Sequence, residues 1–170
     1  MTTLFTDLDN TLLYSHRHST PEPKRWVEQL QGKPQGFLTE STHRFFARQD
    51  WLSVVPVTTR TPAQFARLAG MVQSFGWRDA LVCNGAILLR DGQADPAWQA
   101  ESEARSAAEQ PAFDAAYALA CALAGAENLV CVPPFLFYVK AQEPEAVLHS
   151  LQAQADTSRL VLLGDSRKVY

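Results

Sequence analysis

The sequence predicts an α/β protein in which a parallel sheet with crossover helices precedes a second, α+β domain. Three short apolar runs alternate with helical or polar segments, and this alternation is typical of a parallel sheet. The runs lie at 3–8, 51–59 and 80–89. After residue 90 the chain becomes polar and then alanine-rich, which indicates a boundary near 86–92. We therefore predict one domain at 1–88 and a second at 89–170.

Composition narrows the classes of partner. The 170 residues include 46% hydrophobic and 19% charged side chains, enough apolar surface for a packed core. The net charge of -3 and the isoelectric point near 5.8 give no general attraction to nucleic acid or to anionic membranes. An anionic ligand would have to be held by local groups. The composition makes no prediction of the oligomeric state.

The sequence also favours a cytoplasmic location. Its N-terminus lacks the basic segment and apolar stretch of a signal peptide, and no run approaches the length of a membrane span. Cys83, Cys121 and Cys131 are odd in number, widely spaced and set among apolar residues. We interpret them as reduced thiols of the core.

The first half of the predicted core contains two strands separated by a flap. Residues 3–8 read as a buried strand that runs into an Asp-Asn-Thr turn. Residues 14–37, rich in proline and polar side chains, read as a loop or flap with one short helical turn around Trp26. The stretch TESTHRFFARQ predicts a short helix with Phe45 and Phe46 facing inward. Pro56 in the run at 51–59 favours an edge position or an irregularity.

The helix predicted at 61–76 has the clearest signals. Thr61 can cap it, Pro62 suits its first turn, and Gln64 completes a capping box. One apolar stripe follows at helical spacing. Its members are Phe65, Leu68, Ala69 and Val72. Gly76 closes the segment.

Beyond the third apolar run, the sequence predicts a smaller α+β unit. The stretch PAFDAAYALACALAGA predicts a helix with one apolar stripe. That stripe consists of Phe113, Ala116, Tyr117, Ala120 and Cys121. Strands in NLVCV and FLFYVKA, a helix in PEAVLHSLQAQA and a hairpin-like RLVLLGDSRKVY complete the chain.

Two carboxylates at the end of the first strand carry the chemistry. Asp7 and Asp9 lie one residue apart, where the carboxyl ends of parallel strands bind ligands. A divalent cation such as Mg²⁺ would neutralise both and hold a phosphate oxygen. One carboxylate could attack phosphorus while the other protonates the leaving oxygen, and the Thr11 hydroxyl could fix the turn. An ordinary Asp-rich turn is the alternative.

The stretch DLDNTLL resembles the first motif, D-x-D-x-T, of the haloacid dehalogenase superfamily of phosphohydrolases. The resemblance implies a Rossmann-like core with an inserted cap of the Cof and sucrose-phosphatase type. It also implies that Asp7 is the nucleophile and a Mg²⁺ ligand. Asp9 would then be the general acid and base, with its main-chain carbonyl on the metal.

Two further segments resemble motifs of the same family, in the same order. VVPVTTRT resembles the second motif, which implies that Thr58 binds the transferring phosphoryl group. Thr59 replaces the glycine usual at its position, and Arg60 is retained as a possible substrate contact. VCNGAILL resembles the segment that leads into the cap, which would place Asn84 and Gly85 at the mouth of the site. The alternatives are a β-forming threonine, a solvated arginine and an Asn-Gly hairpin turn.

The third and fourth motifs of the family have two interpretations here. Lys140 and Asp165 have plausible spacing for them, but the second acid of the fourth motif is missing. The favoured interpretation makes 134–170 a β-α-β-β unit of the cap, with Gly164-Asp165-Ser166 as a hairpin turn. In that case the chain stops inside its cap and is incomplete at the C-terminus.

The expected function is Mg²⁺-dependent hydrolysis of a small phosphomonoester, by family analogy a sugar or polyol phosphate. A phosphomutase on the same fold differs in whether water or a sugar hydroxyl receives the phosphoryl group. A non-catalytic phosphate- or metal-binding module is the alternative from another class. A receiver-type signalling domain also uses an Asp cluster, but it lacks the D-x-D-x-T arrangement.

Overall fold

Short strands and helices alternate along a mixed α/β chain. The structure, a computed structural model, describes residues 2–164 and 168–170, and the chain divides into two units, Met1–Gln99 and Ala100–Tyr170. The strands of the first unit are β1 (Thr2–Thr6), β2 (Tyr14–Ser15), β3 (Lys24–Leu30), β4 (Lys33–Thr39), β5 (Leu52–Pro56), β6 (Asp79–Val82), β7 (Ile87–Arg90) and β8 (Gln93–Ala94). Its helices are α1 (Glu40–Phe46), α2 (Pro62–Ala66) and α3 (Ala69–Ser74), and α4 (Pro96–Ser106) contains the boundary between the units. The second unit contains β9 (Leu129–Val132), β10 (Leu136–Lys140), β11 (Lys168–Val169), α5 (Gln110–Ala124) and α6 (Pro144–Gln154).

A parallel pair of strands organises the first unit. β1 pairs with β5 along its whole length, from Thr2 opposite Leu52 to Thr6 opposite Pro56. Just beyond β5, Val57 donates its N–H to the Thr6 carbonyl at 2.8 Å and forms a parallel bridge with Leu81 of β6. The carboxyl ends of β1, β5 and β6 therefore lie side by side. Pro56, predicted at an edge or an irregularity, is the last residue of β5, and β5 joins β6 at this bridge.

The prediction that 3–8 form a buried strand is wrong for most of the run. The Phe5 side chain is 62% exposed and that of Leu4 is 36% exposed, whereas Leu8, beyond the strand, is fully buried. Among the described residues, β1 forms a ladder with β5 alone. One edge of β1 thus carries no described partner, and burial begins in the turn that follows.

The flap is an antiparallel sheet, and the helical turn predicted around Trp26 is wrong. Trp26 lies in β3, within a sheet of order β2-β4-β3. Gln31 and Gly32, between β3 and β4, have φ angles of 53° and 74°. Positive φ at both central residues is the conformation that joins two twisted strands by a two-residue turn. The ring of Phe37, fully buried, contacts the Trp26 ring at 5.4 Å between centroids.

The short helix α1 buries one of its two phenylalanines. The Thr39 side chain caps the helix by accepting the Thr42 N–H at 3.2 Å. Phe46 is 6% exposed, but Phe45 is 48% exposed, so the prediction that both rings face inward is wrong for Phe45. Adjacent positions on a helix differ by about 100° in direction, because the helix has about 3.6 residues per turn.

The capping box at 61–64 is confirmed, but the helix predicted to follow it is interrupted. Thr61 accepts the Gln64 N–H at 3.2 Å and donates its own N–H to Gln64 Oε1 at 2.9 Å. The segment then divides into α2 and α3 around Arg67 and Leu68. Phe65 and Leu68 are buried, whereas Ala69 is exposed. The predicted stripe therefore continues only in part beyond the break, since Val72 is half-buried.

An antiparallel hairpin follows β6. β6 pairs with β7 around the turn Cys83–Gly85, and β7 pairs in turn with β8. The polar stretch after residue 90, interpreted from sequence as turn-rich, contains α4. Asp95 precedes that helix and accepts the Trp98 N–H at 3.0 Å. The carboxylate of an Asp at this position satisfies a free N–H of the first turn and stabilises the helix start.

The second unit packs two helices against a three-stranded antiparallel sheet of order β11-β10-β9. The stripe predicted for α5 is confirmed at Phe113, Ala116 and Ala120, which are buried in its core. That core also contains Phe137, Val139, Leu151 and Val169. Within the described residues, no helix is long and apolar enough to cross a membrane.

The C-terminal segment bears on the two interpretations of the missing motifs. Gly164 and Val169 form an antiparallel bridge, and Leu163 and Tyr170 exchange backbone hydrogen bonds at 3.0 and 2.7 Å. These contacts favour the β-α-β-β interpretation. Lys140 lies exposed at the end of β10, opposite Lys168. Asp165, the candidate for the fourth motif, lies outside the described residues.

Candidate active site

Asp7 begins a tight turn directly after β1. The Leu8 carbonyl accepts the N–H groups of Leu12 and Leu13 at 2.9 and 2.8 Å, which folds the chain back on itself. The Thr11 hydroxyl donates to Asp7 Oδ2 at 3.0 Å, so the turn holds the exposed Asp7 carboxylate in one orientation. Among the described residues, no hydrogen bond reaches the other oxygen, Oδ1, which is the atom available for a metal or a reaction.

Arg60 holds the second carboxylate of the motif. Its Nε donates to Asp9 Oδ2 and its Nη2 to Asp9 Oδ1, both at 2.8 Å. Two parallel hydrogen bonds between a guanidinium and a carboxylate fix both groups in one plane. A protein side chain from the loop after β5 therefore compensates the charge of Asp9; the metal suggested from sequence stays a prediction.

The same guanidinium is held from another edge by Glu28, a residue of β3. Arg60 Nη1 donates to Glu28 Oε1 at 2.9 Å, and Nη2 donates to Glu28 Oε2 at 3.1 Å. Nη1 also lies 3.4 Å from the Gln64 carbonyl oxygen. A guanidinium has five N–H donors, so these five contacts direct every one of them to a protein acceptor. In this arrangement Arg60 orients Asp9, and the contact with substrate suggested from sequence stays a prediction.

Glu28 is almost completely removed from solvent, with a relative exposure of 2%. Arg67 Nε lies 3.1 Å from Glu28 Oε1, so two arginines compensate this one carboxylate. Burial lowers the pKa of Arg60, but the hydrogen bonds with Asp9 and Glu28 outweigh it and raise that pKa above the usual arginine value. Arg60 is therefore permanently charged, as the two carboxylates around it require.

Sequence reasoning missed Glu28 because the segment at 14–37 was interpreted as a loop. The signal that could have found it is the spacing of Gln31-Gly32 between two runs of strand-forming residues, which indicates a hairpin. With that hairpin predicted, Glu28 in the middle of one strand would have been a candidate for a buried, paired charge. Its partners, however, lie in other elements.

The second predicted motif lies next to the first. The Thr58 N–H donates to the Leu81 carbonyl at 2.9 Å, and the Thr58 hydroxyl accepts the Arg60 N–H at 3.2 Å. Thr58 is only 2% exposed, whereas Thr59 is half-buried. The Thr58 hydroxyl keeps a proton to donate, since it acts as the acceptor toward the Arg60 N–H.

Asn84 and Gly85 lie at the end of β6, beside Thr58. The Asn84 N–H donates to the Thr58 carbonyl at 2.9 Å, and the Trp98 indole N–H donates to the Gly85 carbonyl at 2.9 Å. Three consecutive residues, Cys83, Asn84 and Gly85, have φ angles of 50°, 59° and 91°. Left-handed conformations are rare for residues with a side chain and are concentrated at functional sites. The segment Cys83–Gly85 is thus the turn of a hairpin and also lies at the edge of the candidate site.

Cys83, in this turn, is a neutral thiol. Burial raises its pKa to about 11. The thiolate is the reactive form, so the side chain is not a competing nucleophile at the site.

We expect iodoacetamide at pH 8 to label Cys83 in the folded protein at no more than roughly a hundredth of its rate in the urea-unfolded protein, because the pKa difference reduces the thiolate fraction by about that factor. Peptide mapping by mass spectrometry measures the rate. Because the thiolate fraction grows with pH up to the raised pKa, labelling should accelerate as pH rises. Equal rates in the folded and unfolded protein would contradict the burial of this side chain.

The donors at Asp7 fit a hard divalent cation. Asp7 supplies a carboxylate oxygen, and Mg²⁺ needs only one or two such groups together with water and phosphate oxygens. In residues 2–164 and 168–170, no group of three or more His, Cys, Asp or Glu side chains is arranged to hold a metal. No family model matches the chain, and no curated protein matches its sequence.

Proposed function

We propose that the chain is a Mg²⁺-dependent phosphomonoester hydrolase that works through an aspartyl-phosphate on Asp7. The observation that carries the proposal is the meeting of Asp7, Asp9, Thr58 and Asn84 at the carboxyl ends of three neighbouring strands. Ligands of open α/β sheets bind at such ends. The three motifs follow one another along the chain in the order of the haloacid dehalogenase family and lie side by side in the structure. This supports a haloacid dehalogenase-like core, with Ala100–Tyr170 as part of its cap.

In the first half-reaction, Asp7 Oδ1 attacks phosphorus. The new bond joins Oδ1 to phosphorus, the bond from phosphorus to the alcohol oxygen breaks, and Asp9, which enters this step in its protonated form, gives its proton to that oxygen. In the second half-reaction, Asp9 removes a proton from water, the water oxygen attacks phosphorus, and the bond to Asp7 breaks. Phosphate leaves, and both aspartates return to their initial state.

Thr11 and Thr58 support these steps by position. Thr11 holds Asp7 Oδ2 and so directs Oδ1 toward the open side of the turn. The Thr58 hydroxyl and the exposed Asn84 side chain are the polar groups nearest the strand ends that can bind phosphate oxygens. A Mg²⁺ ion on the Asp7 carboxylate and the Asp9 carbonyl would supply charge neutralisation for those oxygens.

Asp9 can transfer a proton without leaving Arg60. Each carboxylate oxygen has two lone pairs, and Arg60 uses one on each oxygen. The Asp9 side chain is 44% exposed, so its outer lone pairs are open to a leaving group or to water. Arg60 thus orients the acid and base while the reacting side stays accessible.

Phosphate release from p-nitrophenyl phosphate and from a panel of sugar phosphates, each with Mg²⁺ and with EDTA, tests the proposal. We expect hydrolysis of at least one ester, and this hydrolysis should require Mg²⁺. We also expect Mg²⁺ with beryllofluoride to raise the melting temperature, because ligands of the folded state stabilise it. Product analysis with a hexose phosphate distinguishes free phosphate from a transferred phosphoryl group. The proposal fails if neither turnover nor the shift in melting temperature is observed.

A further inference from the structure

We infer that Glu28 is a positioning residue of this site: it fixes the Arg60 guanidinium and, through it, the orientation of Asp9. The inference rests on the proposed function and adds a residue that none of the sequence motifs contains. Glu28 lies on the flap hairpin, 32 positions before Arg60 in the chain and 19 after Asp9. Among the described residues, Glu28 forms no hydrogen bond with Asp7.

The geometry of the guanidinium carries the inference. Asp9 occupies the edge formed by Nε and Nη2, and Glu28 occupies the edge formed by Nη2 and Nη1. Two carboxylates, each bound by two hydrogen bonds, occupy adjacent edges of the guanidinium plane. Any rotation of the guanidinium would therefore break at least one of these pairs of hydrogen bonds. The Arg60 side chain is only 12% exposed, so water competes weakly for these donors. Without Glu28, the guanidinium would be held by the partly exposed Asp9 and by one long contact, 3.4 Å, from Nη1 to the Gln64 carbonyl oxygen.

The flap hairpin is shaped around this carboxylate. The pairing of β3 with β4 shifts register on both sides of Glu28, between Trp26 and Glu28 and between Glu28 and Gln29. Such irregularities redirect a side chain and are common beside active sites. Opposite Glu28 stands Gly36, where an added Cβ would lie 2.8 Å from Glu28 Oε2. The absence of a side chain at Gly36 is what leaves room for the buried carboxylate.

The charges of the four groups also support a link between Glu28 and Asp9. When Asp9 is ionised, as it is after it has given up its proton, Arg67 and Arg60 carry two positive charges and Glu28 and Asp9 carry two negative charges, so the four groups are neutral together. An unpaired carboxylate with 2% exposure would be costly, so Glu28 is tolerated only because both arginines reach it. A carboxylate that served stability alone would need no connection to Asp9.

The test compares two esters in wild type and in Glu28→Gln, with β-glycerophosphate as the ester of a poor leaving group and p-nitrophenyl phosphate as that of a good one. A good leaving group needs no proton from Asp9, whereas an alkoxide does. The rates compared are those of the first half-reaction, measured as glycerol or p-nitrophenol released in a single turnover, because in the second half-reaction Asp9 is the base for both esters alike. We expect the rate for β-glycerophosphate to fall by roughly ten- to a hundredfold, because misplacing a general acid forfeits part of its contribution. For p-nitrophenyl phosphate we expect a rate within about threefold of wild type, since its leaving group needs no proton.

Glu40→Gln is the matched control. Glu40 also pairs with two arginines, Arg25 and Arg44, but it lies on α1, and within the described part of the chain it forms no hydrogen bond or ion pair with Asp7 or Asp9. It should leave both rates unchanged. Equal losses for the two esters in Glu28→Gln, or no loss for either, would overturn the inference. If Glu28→Gln does not fold, Arg67→Gln replaces it, with the same pattern expected at smaller size because Arg67 is 29% exposed.

A second readout does not depend on turnover. The Nε–H proton of Arg60 donates to Asp9, in a guanidinium that Glu28 holds by its other edge, and it should exchange slowly with water in an NMR spectrum, with Arg60→Lys providing its assignment. Slow exchange should persist in Glu40→Gln and be lost in Glu28→Gln. If wild type hydrolyses neither ester, the proposed function fails, and the exchange of this proton still decides whether Glu28 fixes Arg60. Unchanged protection in Glu28→Gln overturns the inference.

Discussion

Asp7→Asn is expected to lower Mg²⁺-dependent phosphomonoester hydrolysis by on the order of 10³-fold or more, because the variant lacks the attacking carboxylate. The amide is nearly isosteric with the carboxylate, and its oxygen can still accept the Thr11 hydroxyl bond. The turn after β1 should therefore keep its structure. Initial rates of phosphate release, normalised to folded protein by circular dichroism, measure the effect.

Asp50→Asn is the control for Asp7→Asn. Asp50 is an exposed aspartate on the loop before β5, so the substitution removes the same charge away from the site. It should retain the wild-type rate. Beryllofluoride with Mg²⁺ should raise the melting temperature of wild type and Asp50→Asn but not of Asp7→Asn. Undiminished hydrolysis by folded Asp7→Asn would refute the assignment of Asp7 as nucleophile.

Arg60→Ala is expected to destabilise the first unit by about 3–5 kcal/mol, the cost typical of removing one partner from a buried ion pair. The substitution leaves Glu28, 2% exposed, with Arg67 alone, and it frees Asp9 from both hydrogen bonds. All four tryptophans lie before residue 100, so urea unfolding followed by tryptophan fluorescence reports on the first unit by itself. The midpoint should shift at unchanged slope.

Arg25→Ala serves as the comparison for Arg60→Ala. Arg25 also pairs with a glutamate, Glu40, but its side chain is 55% exposed. Ion pairs at the surface contribute little, because water and salt screen them, so the unfolding midpoint should hardly move. An equal shift in both variants would mean that the buried network around Glu28 has no special role in stability.

Several features of the site could be predicted from the sequence. The positions of Asp7 and Asp9 after the first strand follow from the D-x-D-x-T stretch and the apolar run before it. The capping box of Thr61 and Gln64, and the bend at Asn84-Gly85, were likewise predicted because each depends on residues within a few positions of one another. Parallel pairing of β1 with β5 followed from the alternation of strands and helices.

Other features depended on contacts that no local pattern reports. Burial of the first strand was wrongly expected, since the apolar run in β1 gives no sign of how many neighbours the strand has. The hairpin β3–β4 was missed because polar residues and prolines outweighed its two-residue turn. The protein contacts of Arg60 could not be predicted, because they depend on where Asp9, Glu28 and Gln64 come together.

The sequence by itself predicted which residues form the candidate site: a carboxylate at a strand end, its partner two positions on, and a threonine after the strand that pairs with the first. Tertiary structure alone decided how they are held. Arg60 is 51 positions from Asp9 and 32 from Glu28, and strand pairing with a shifted register brings the three together. The physical reason is that short-range patterns fix local backbone conformation, whereas an ion pair between distant residues forms only when the elements that carry them pack.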